Sequence, residues 1–283
     1  MINTVLKIQG KKRRVAEWAV SEMKHRFPDA SKLVVPFVGS GSIALNYGKR
    51  AWINDRNRGA MSLYQAMLQG RLSVDDVRRH LVPNGHLLAA SGVGAKESHY
   101  YVVRDRFNDK GDPLDYLFLN RTCFNGLVRF NKNEKFNVPF CRNENKMTAS
   151  YIDSICRDFE ATQQALIDWV DFATCLDFRD TLKVWEDDPD ALIYADPPYT
   201  GRDTNYGAWW DDEAEQDLFD VLSGGRAQYV VSSWDSGEGN PSLTKWLDIG
   251  CTVKTRELQY MVGRTGANRP VVSEVLIMKP PSA

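Results

Sequence analysis

The chain of 283 residues, 43% hydrophobic and 26% charged, has an ordinary globular composition for one large domain or a domain with an insertion, and no apolar run nears the roughly 20 residues of a membrane span. Five cysteines, an odd number without a C-x-x-C pair, and four histidines without ligand spacing argue against a disulfide framework or a metal centre and fit a reducing cytoplasm. The net charge of −1 conceals an asymmetry: residues 1–150 hold 25 Lys and Arg against 13 Asp and Glu, a balance of +12, and residues 151–283 hold 11 against 24, a balance of −13.

Either the basic half meets a polyanion, or its charges are spread over a solvated surface, which is also the reading for His25, His80, His86 and His99. Residues 1–14 carry bases but no apolar h-region, so no signal peptide is expected. Apolar spacing predicts a helix over 15–27 and a buried strand over 32–37, then a Gly39-Ser40-Gly41 turn and a helical start at 42–46. A second short strand over 51–54 ends at Asp55, and 57–70 reads as helix. This order of strand, glycine turn, helix, strand and acid opens a nucleotide-binding α/β sheet.

Residues 71–150 break the rhythm. They are polar and basic, with loops expected at Val82-Pro83-Asn84-Gly85 and Ser91-Gly92-Val93-Gly94 and helices at 74–81 and 113–120. Helix returns over 148–168, and strands are expected at about 170–175, 191–195, 228–233 and 271–278 with helices between. The pattern predicts an α/β protein, with a sheet domain from 1–56 and 151–283 and an inserted, mainly helical, partner-contacting module over 57–150.

The sharpest chemical signal is Asp196-Pro197-Pro198-Tyr199, at the carboxyl end of an apolar strand. Two prolines rigidify the loop and remove two amide donors, leaving the Asp196 carboxylate and the Pro197 carbonyl as acceptors beside the flat ring of Tyr199. Acceptors beside an aromatic face suit the exocyclic amine of a stacked base. Hydrogen bonding to both N–H groups favours attack by the nitrogen lone pair on an electrophilic methyl, and no metal is required. Phe37, Gly39 and Gly41 form a turn that lets a ligand approach the backbone, although G-x-G also serves dehydrogenases and plain turns. Asp55 is placed either to hold ribose hydroxyls or to cap the following helix.

In this order the pieces resemble the Dam-like family of DNA adenine-N6 methyltransferases. The most specific stretch is Asn120-Arg121-Thr122-Cys123-Phe124-Asn125-Gly126-Leu127-Val128-Arg129-Phe130-Asn131, followed by Phe136-Asn137-Val138-Pro139-Phe140, which looks like the family block N-R-x-x-F-N-G-L-x-R-x-N…F-N-V-P-F. The resemblance implies a Rossmann-like methyltransferase sheet, S-adenosylmethionine as cofactor and double-stranded DNA as partner. It also implies catalysis by Asp196, Pro197, Pro198 and Tyr199. Lys12 (with Lys11 as the alternative register), Phe37, Gly39, Gly41, Asp55, Phe178, Asp180 and Asp196 would surround the cofactor. Arg129 would read a guanine edge, Asn125, Leu127, Asn131 and Pro139 would contact DNA, and Arg121, Lys132 and Lys135 would meet phosphates. The block matches enzymes that read GATC, though relatives with other sites share much of it. Three positions depart from the pattern: Val35 where an acid is frequent, Glu134 where a glycine is common, and Cys141 in place of a glycine.

Tyr206 and the Trp209–Trp210 pair before an acidic helix start read as core or as active-site neighbours, and residues 260–270 as a hairpin loop or a DNA contact. N4-cytosine methylation, glutamine methylation and a non-catalytic DNA-binding protein on the same fold are the competing readings, and a partner restriction endonuclease competes with a solitary or phage enzyme.

Overall fold

The computed structural model describes residues 1–8, 12–94, 97–198, 210–235, 241–259 and 271–280. Tyr199, Tyr206, Trp209, Lys11 and the loop over 260–270 therefore lie outside the described residues.

Among the described residues seven strands form one sheet: β1 (Lys32–Val35), β2 (Arg50–Asn54), β3 (Val170–Thr174), β4 (Ala191–Ala195), β5 (Gln228–Asp235), β6 (Thr252–Gln259) and β7 (Val271–Met278), in the spatial order β3-β2-β1-β4-β5-β7-β6. The first five are parallel, and β7 is antiparallel between β5 and β6. From β1 the chain runs outward to β2 and β3, then returns to build β4 and β5 on the other side. The β1/β4 boundary is thus the topological switch point, where open α/β sheets bind ligands beyond their carboxyl ends.

Side chains alternate across the sheet as a two-residue period requires. Leu33, Val35, Leu192 and Tyr194 enter one hydrophobic cluster with helices α1 (Ala16–Arg26), α3 (Arg58–Leu68) and α7 (Ala149–Trp169). Val34, Ala191, Ile193 and Ala195 enter the other, with α8 (Phe178–Trp185), α9 (Asp212–Gly224) and α10 (Pro241–Asp248). The first cluster also takes in α4 (Val74–Ala90), α5 (His99–Lys110) and α6 (Pro113–Thr122), so the helical region shares a core with the sheet. Its first helix, α3, leans on the sheet directly: Gln65 donates to the carbonyl of Ala173 in β3 at 2.8 Å.

Several boundaries differ from expectation. β1 stops at Val35, because Pro36 has no N–H for the ladder. The helix expected over 42–46 is one turn, α2 (Ala44–Tyr47). The loop expected at Val82-Pro83-Asn84-Gly85 is instead interior to α4. Asn84, Gly85 and Leu88 continue its buried face, and a Cβ on Gly85 would come within 2.9 Å of Met147. Tertiary packing there overrides the helix-breaking proline. Two elements lay outside the sequence reading: α5, whose polar composition hides its buried face of Tyr100, Val103 and Phe107, and β6. The start of α9 is as read, with Asp211 capping the amide of Ala214 at 2.9 Å. Among the described residues no helix is long and apolar enough to cross a membrane, and all five cysteines are free.

Candidate active site

The glycine turn leaves the carboxyl end of β1 and the Asp-Pro-Pro loop leaves that of neighbouring β4. Gly39 and Gly41 have φ of +52° and +73°, the left-handed region that favours glycine. A Cβ on Gly39 would meet nothing within 4 Å, so open space lies in front of this backbone. Asp55, just past β2, fixes the turn by accepting from the Gly39 amide at 2.8 Å and the Asn57 amide at 2.9 Å. Burial raises its pKa, and the two backbone donors oppose that rise. Each carboxylate oxygen retains acceptor capacity for a hydroxyl. The cap of α3 is Asn57, which accepts from Ala60, so the capping alternative for Asp55 is corrected. A residue missed in the sequence is buried Asn54. It accepts from Thr174 and Leu176 and donates to the carbonyls of Pro36 and Leu176, joining the ends of β1, β2 and β3. Its signal was a polar residue closing an otherwise apolar strand.

Lys12 opens a short 3-10 turn before α1 and is almost wholly buried. Its ammonium lies 3.1 Å from an oxygen of Asp196 and also pairs with buried Glu274 of β7. Burial by itself would lower the Lys12 pKa, but Asp196 and Glu274 outweigh it and hold the group protonated. Ser232 of β5 donates to the same Glu274 carboxylate at 2.6 Å. Tyr194, the penultimate residue of β4, is buried, and burial beside Asp196 drives its phenol well above the ordinary range. Asp196, Pro197 and Pro198 are half-buried just past the carboxyl end of β4.

Phe37, Phe178 and Trp210 form an aromatic cluster next to the glycine turn. Ring centroids lie 5.3 Å apart for Phe37–Phe178, 5.5 Å for Phe37–Trp210 and 5.6 Å for Phe178–Trp210. Asp180 is exposed on α8, whereas Asp177 caps that helix and lies 3.6 Å from Arg56, which follows Asp55. Of the two acids, Asp177 faces the ends of β2 and β3; its only sequence signal was its place before the helix. An aromatic cluster, a hydroxyl-accepting carboxylate and open space at a glycine backbone fit a nucleoside-type ligand.

The block over 120–142 divides between core and surface. Buried Asn120 exchanges hydrogen bonds with the backbone of Lys7, at 2.9 and 2.7 Å. Arg121 is 3% exposed, donates to the carbonyl of Val5 and pairs with Asp158 at 3.1 Å. The expectation that Arg121 meets phosphate is corrected: it ties down the N-terminal segment that leads to Lys12. Beyond α6 the chain doubles back through bridges Cys123–Phe140 and Phe130–Phe136. Phe136, Val138 and Phe140 point into the core, where Tyr100 donates to the Val138 carbonyl at 2.8 Å. The outer face carries half-buried Leu127 and Arg129 and exposed Asn125, Asn131, Lys132, Lys135 and Pro139. Arg129 donates from Nε to Asn137 at 2.9 Å, which orients its terminal fork. Asn131 accepts from the amides of Asn133 and Lys135, so its side chain shapes the turn. Exposed Phe124 was not singled out from sequence; an apolar ring on a polar loop can contact bases.

His80 and His99 are half-buried and held by partners rather than freely solvated, contrary to expectation. His80 lies 3.0 Å from buried Asp115, and His99 contacts Asn84 at 2.8 Å. His80, Asp112 and Asp115 bring ligand atoms within 4.8 Å of one another, but the Arg106 fork already occupies Asp115 and Asp112 caps α6.

Comparison with known proteins places the chain in a family. Residues 9–261 match the model of the D12 class N6 adenine-specific DNA methyltransferases. A DNA adenine methylase of Escherichia coli is 30% identical, covering 96% of each chain. One from Vibrio cholerae is 27% identical, covering 96% of this chain and 97% of its own. One from Serratia marcescens is 31% identical over 67% of each chain.

Proposed function

Since the chain belongs to the D12 class of N6 adenine-specific DNA methyltransferases, we propose that Asp196, Pro197, Pro198 and Tyr199 are its catalytic loop and that the outer face of the 123–142 hairpin reads its DNA site. The observation that carries this reading is the juxtaposition at the switch point. The glycine turn of β1 and the Asp-Pro-Pro loop of β4 leave adjacent strands, and buried Lys12 lies 3.1 Å from Asp196.

Family membership implies S-adenosylmethionine, which supplies a methyl group on a positively charged sulfur. Phe37, Gly39, Gly41, Asp55 and Phe178 are the residues that would hold it, with Asp177 a better-placed acid than Asp180. The target adenine must leave the helix stack for its amine to reach the loop. Asp196 and the Pro197 carbonyl then accept its two N–H groups, while Tyr199 stacks on the ring. Arg129 is suited to the N7 and O6 edge of a guanine. Lys132 and Lys135 are suited to phosphates, and GATC is the proposed site.

The test is methylation of a random duplex library followed by modified-base sequencing. N6-methyladenine within GATC is the expected product, and methylation centred on another sequence removes the GATC assignment alone. In parallel, Asp196→Ala should lower turnover by at least about a hundredfold while leaving S-adenosylmethionine affinity within a few-fold by calorimetry. Retained turnover would remove Asp196 from the reaction.

A further inference from the structure

β7 reads Val271-Val272-Ser273-Glu274-Val275-Leu276-Ile277-Met278, and Glu274, 3% exposed, is the single ionisable group in this apolar strand. A buried carboxylate gains little stability from an ion pair, because desolvation offsets the attraction, and an apolar residue would pack there at least as well. Its contacts point instead to the loop after β4. Glu274 pairs with Lys12, Lys12 pairs with Asp196 at 3.1 Å, and Ser232 donates at 2.6 Å to the same Glu274 oxygen that faces Lys12. The network crosses three neighbouring strands, since β5 stands between β4 and β7.

We propose that Glu274 is a positioning residue for methyl transfer: acting through Lys12, it fixes the Asp196 carboxylate toward the amine and offsets the lysine's charge, so that the trio keeps one net negative charge beside the reacting nitrogen. The proposal rests on the reading of Asp196 as the amine acceptor.

The charge matters because of what the reaction moves. The amine's lone pair forms the nitrogen–carbon bond as the carbon–sulfur bond breaks with its electrons left on sulfur. Positive charge therefore passes to the nitrogen, and its surplus proton leaves by way of Asp196 to solvent. Lys12 and Asp196 alone would be neutral toward that developing charge, and Glu274 restores the negative field in a site of low dielectric. Among the described residues Tyr194 also faces the trio, and burial keeps it neutral.

The test compares wild type, Glu274→Gln, Ser232→Ala and Asp196→Asn. Each is assayed for single-turnover methyl transfer, thermal melting, and affinity for two short duplexes in the presence of S-adenosylhomocysteine. The duplexes carry GATC, or the site the library returns, with either adenine or purine at the target. Purine lacks the exocyclic amine, so the affinity ratio reports capture of that amine without turnover. Glu274→Gln should slow single-turnover transfer by about tenfold or more and should shift the ratio toward purine as Asp196→Asn does. Ser232→Ala, which keeps both charges, should act in the same direction by about threefold. A wild-type rate and ratio in Glu274→Gln overturn the proposal. Equal weakening of both duplexes together with a lowered melting temperature also overturns it, since a purely structural role predicts that. Full activity in Asp196→Asn would instead sink the acceptor reading on which the proposal stands.

Discussion

Single side chains set the geometry on which the reading depends. Glu134 adopts φ of +56°, left-handed for a residue with a Cβ, at the position where the family pattern has glycine. Its exposed ion pair with Arg58 at 2.7 Å adds little. Glu134→Gly should therefore stabilise the protein by up to about 1 kcal/mol, read from denaturant midpoints. It should also tighten DNA binding by removing a negative charge from the hairpin. A variant less stable than its parent contradicts the backbone argument. Cys141, the other departure in the hairpin, needs no such conformation, as its φ is not positive. Arg129 is tethered through Nε, which leaves its terminal nitrogens for a base edge. Arg129→Ala should cost about 1–3 kcal/mol at one base pair of the site and relax specificity there. Unchanged preference across a panel of single-base variants would assign that edge to another residue.

At the scale of elements, Asp115 joins the helical region together. It lies on α6 and binds His80 of α4 at 3.0 Å and Arg106 of α5 through Nε at 2.7 Å. Burial by itself would raise its pKa, yet Arg106 and His80 outweigh burial and the net shift is downward. Asp76, in the capping box that opens α4, is likewise lowered from 3.8 to about 2 by Ser73 and Arg79. A carboxylate with a depressed folded-state pKa contributes stability above its unfolded value and loses it as pH falls through the folded one. The helical region should hold its stability down to roughly pH 4 and lose it between there and about pH 2. Circular dichroism melts across that range check this, and Asp115→Asn should flatten the dependence. An acid transition unaltered by Asp115→Asn would place the sensitive groups elsewhere.

Across the whole molecule, the excess of 12 positive charges in residues 1–150 and the excess of 13 negative charges in residues 151–283 are carried by halves that share the larger hydrophobic cluster. The DNA grip should accordingly be salt-dependent, with log affinity falling linearly in log salt. Lys132 is exposed, while Lys135 donates to the Asn108 carbonyl at 2.5 Å and is partly committed. Lys132→Ala should weaken binding equally for all sequences and lower the salt slope by about one. A sequence-dependent loss would make Lys132 a base reader.

The sequence by itself located the parallel strands, because buried strands leave continuous apolar runs such as Ala191–Ala195, and it located the glycine turn and the Asp-Pro-Pro loop, because their chemistry is local, while it left Asp55 between a ligand contact and a helix cap. It could not separate Arg121 from Lys132, since a buried arginine and a solvated lysine carry the same charge in a string of letters. Nor could it see α4 run through Pro83, where packing against Met147 decides against local propensity. Only the tertiary structure brought Lys12 to Asp196 and set Glu274 behind them, over a separation of 262 residues between Lys12 and Glu274. Long-range pairing of buried charge is fixed by strand order, which no local pattern records.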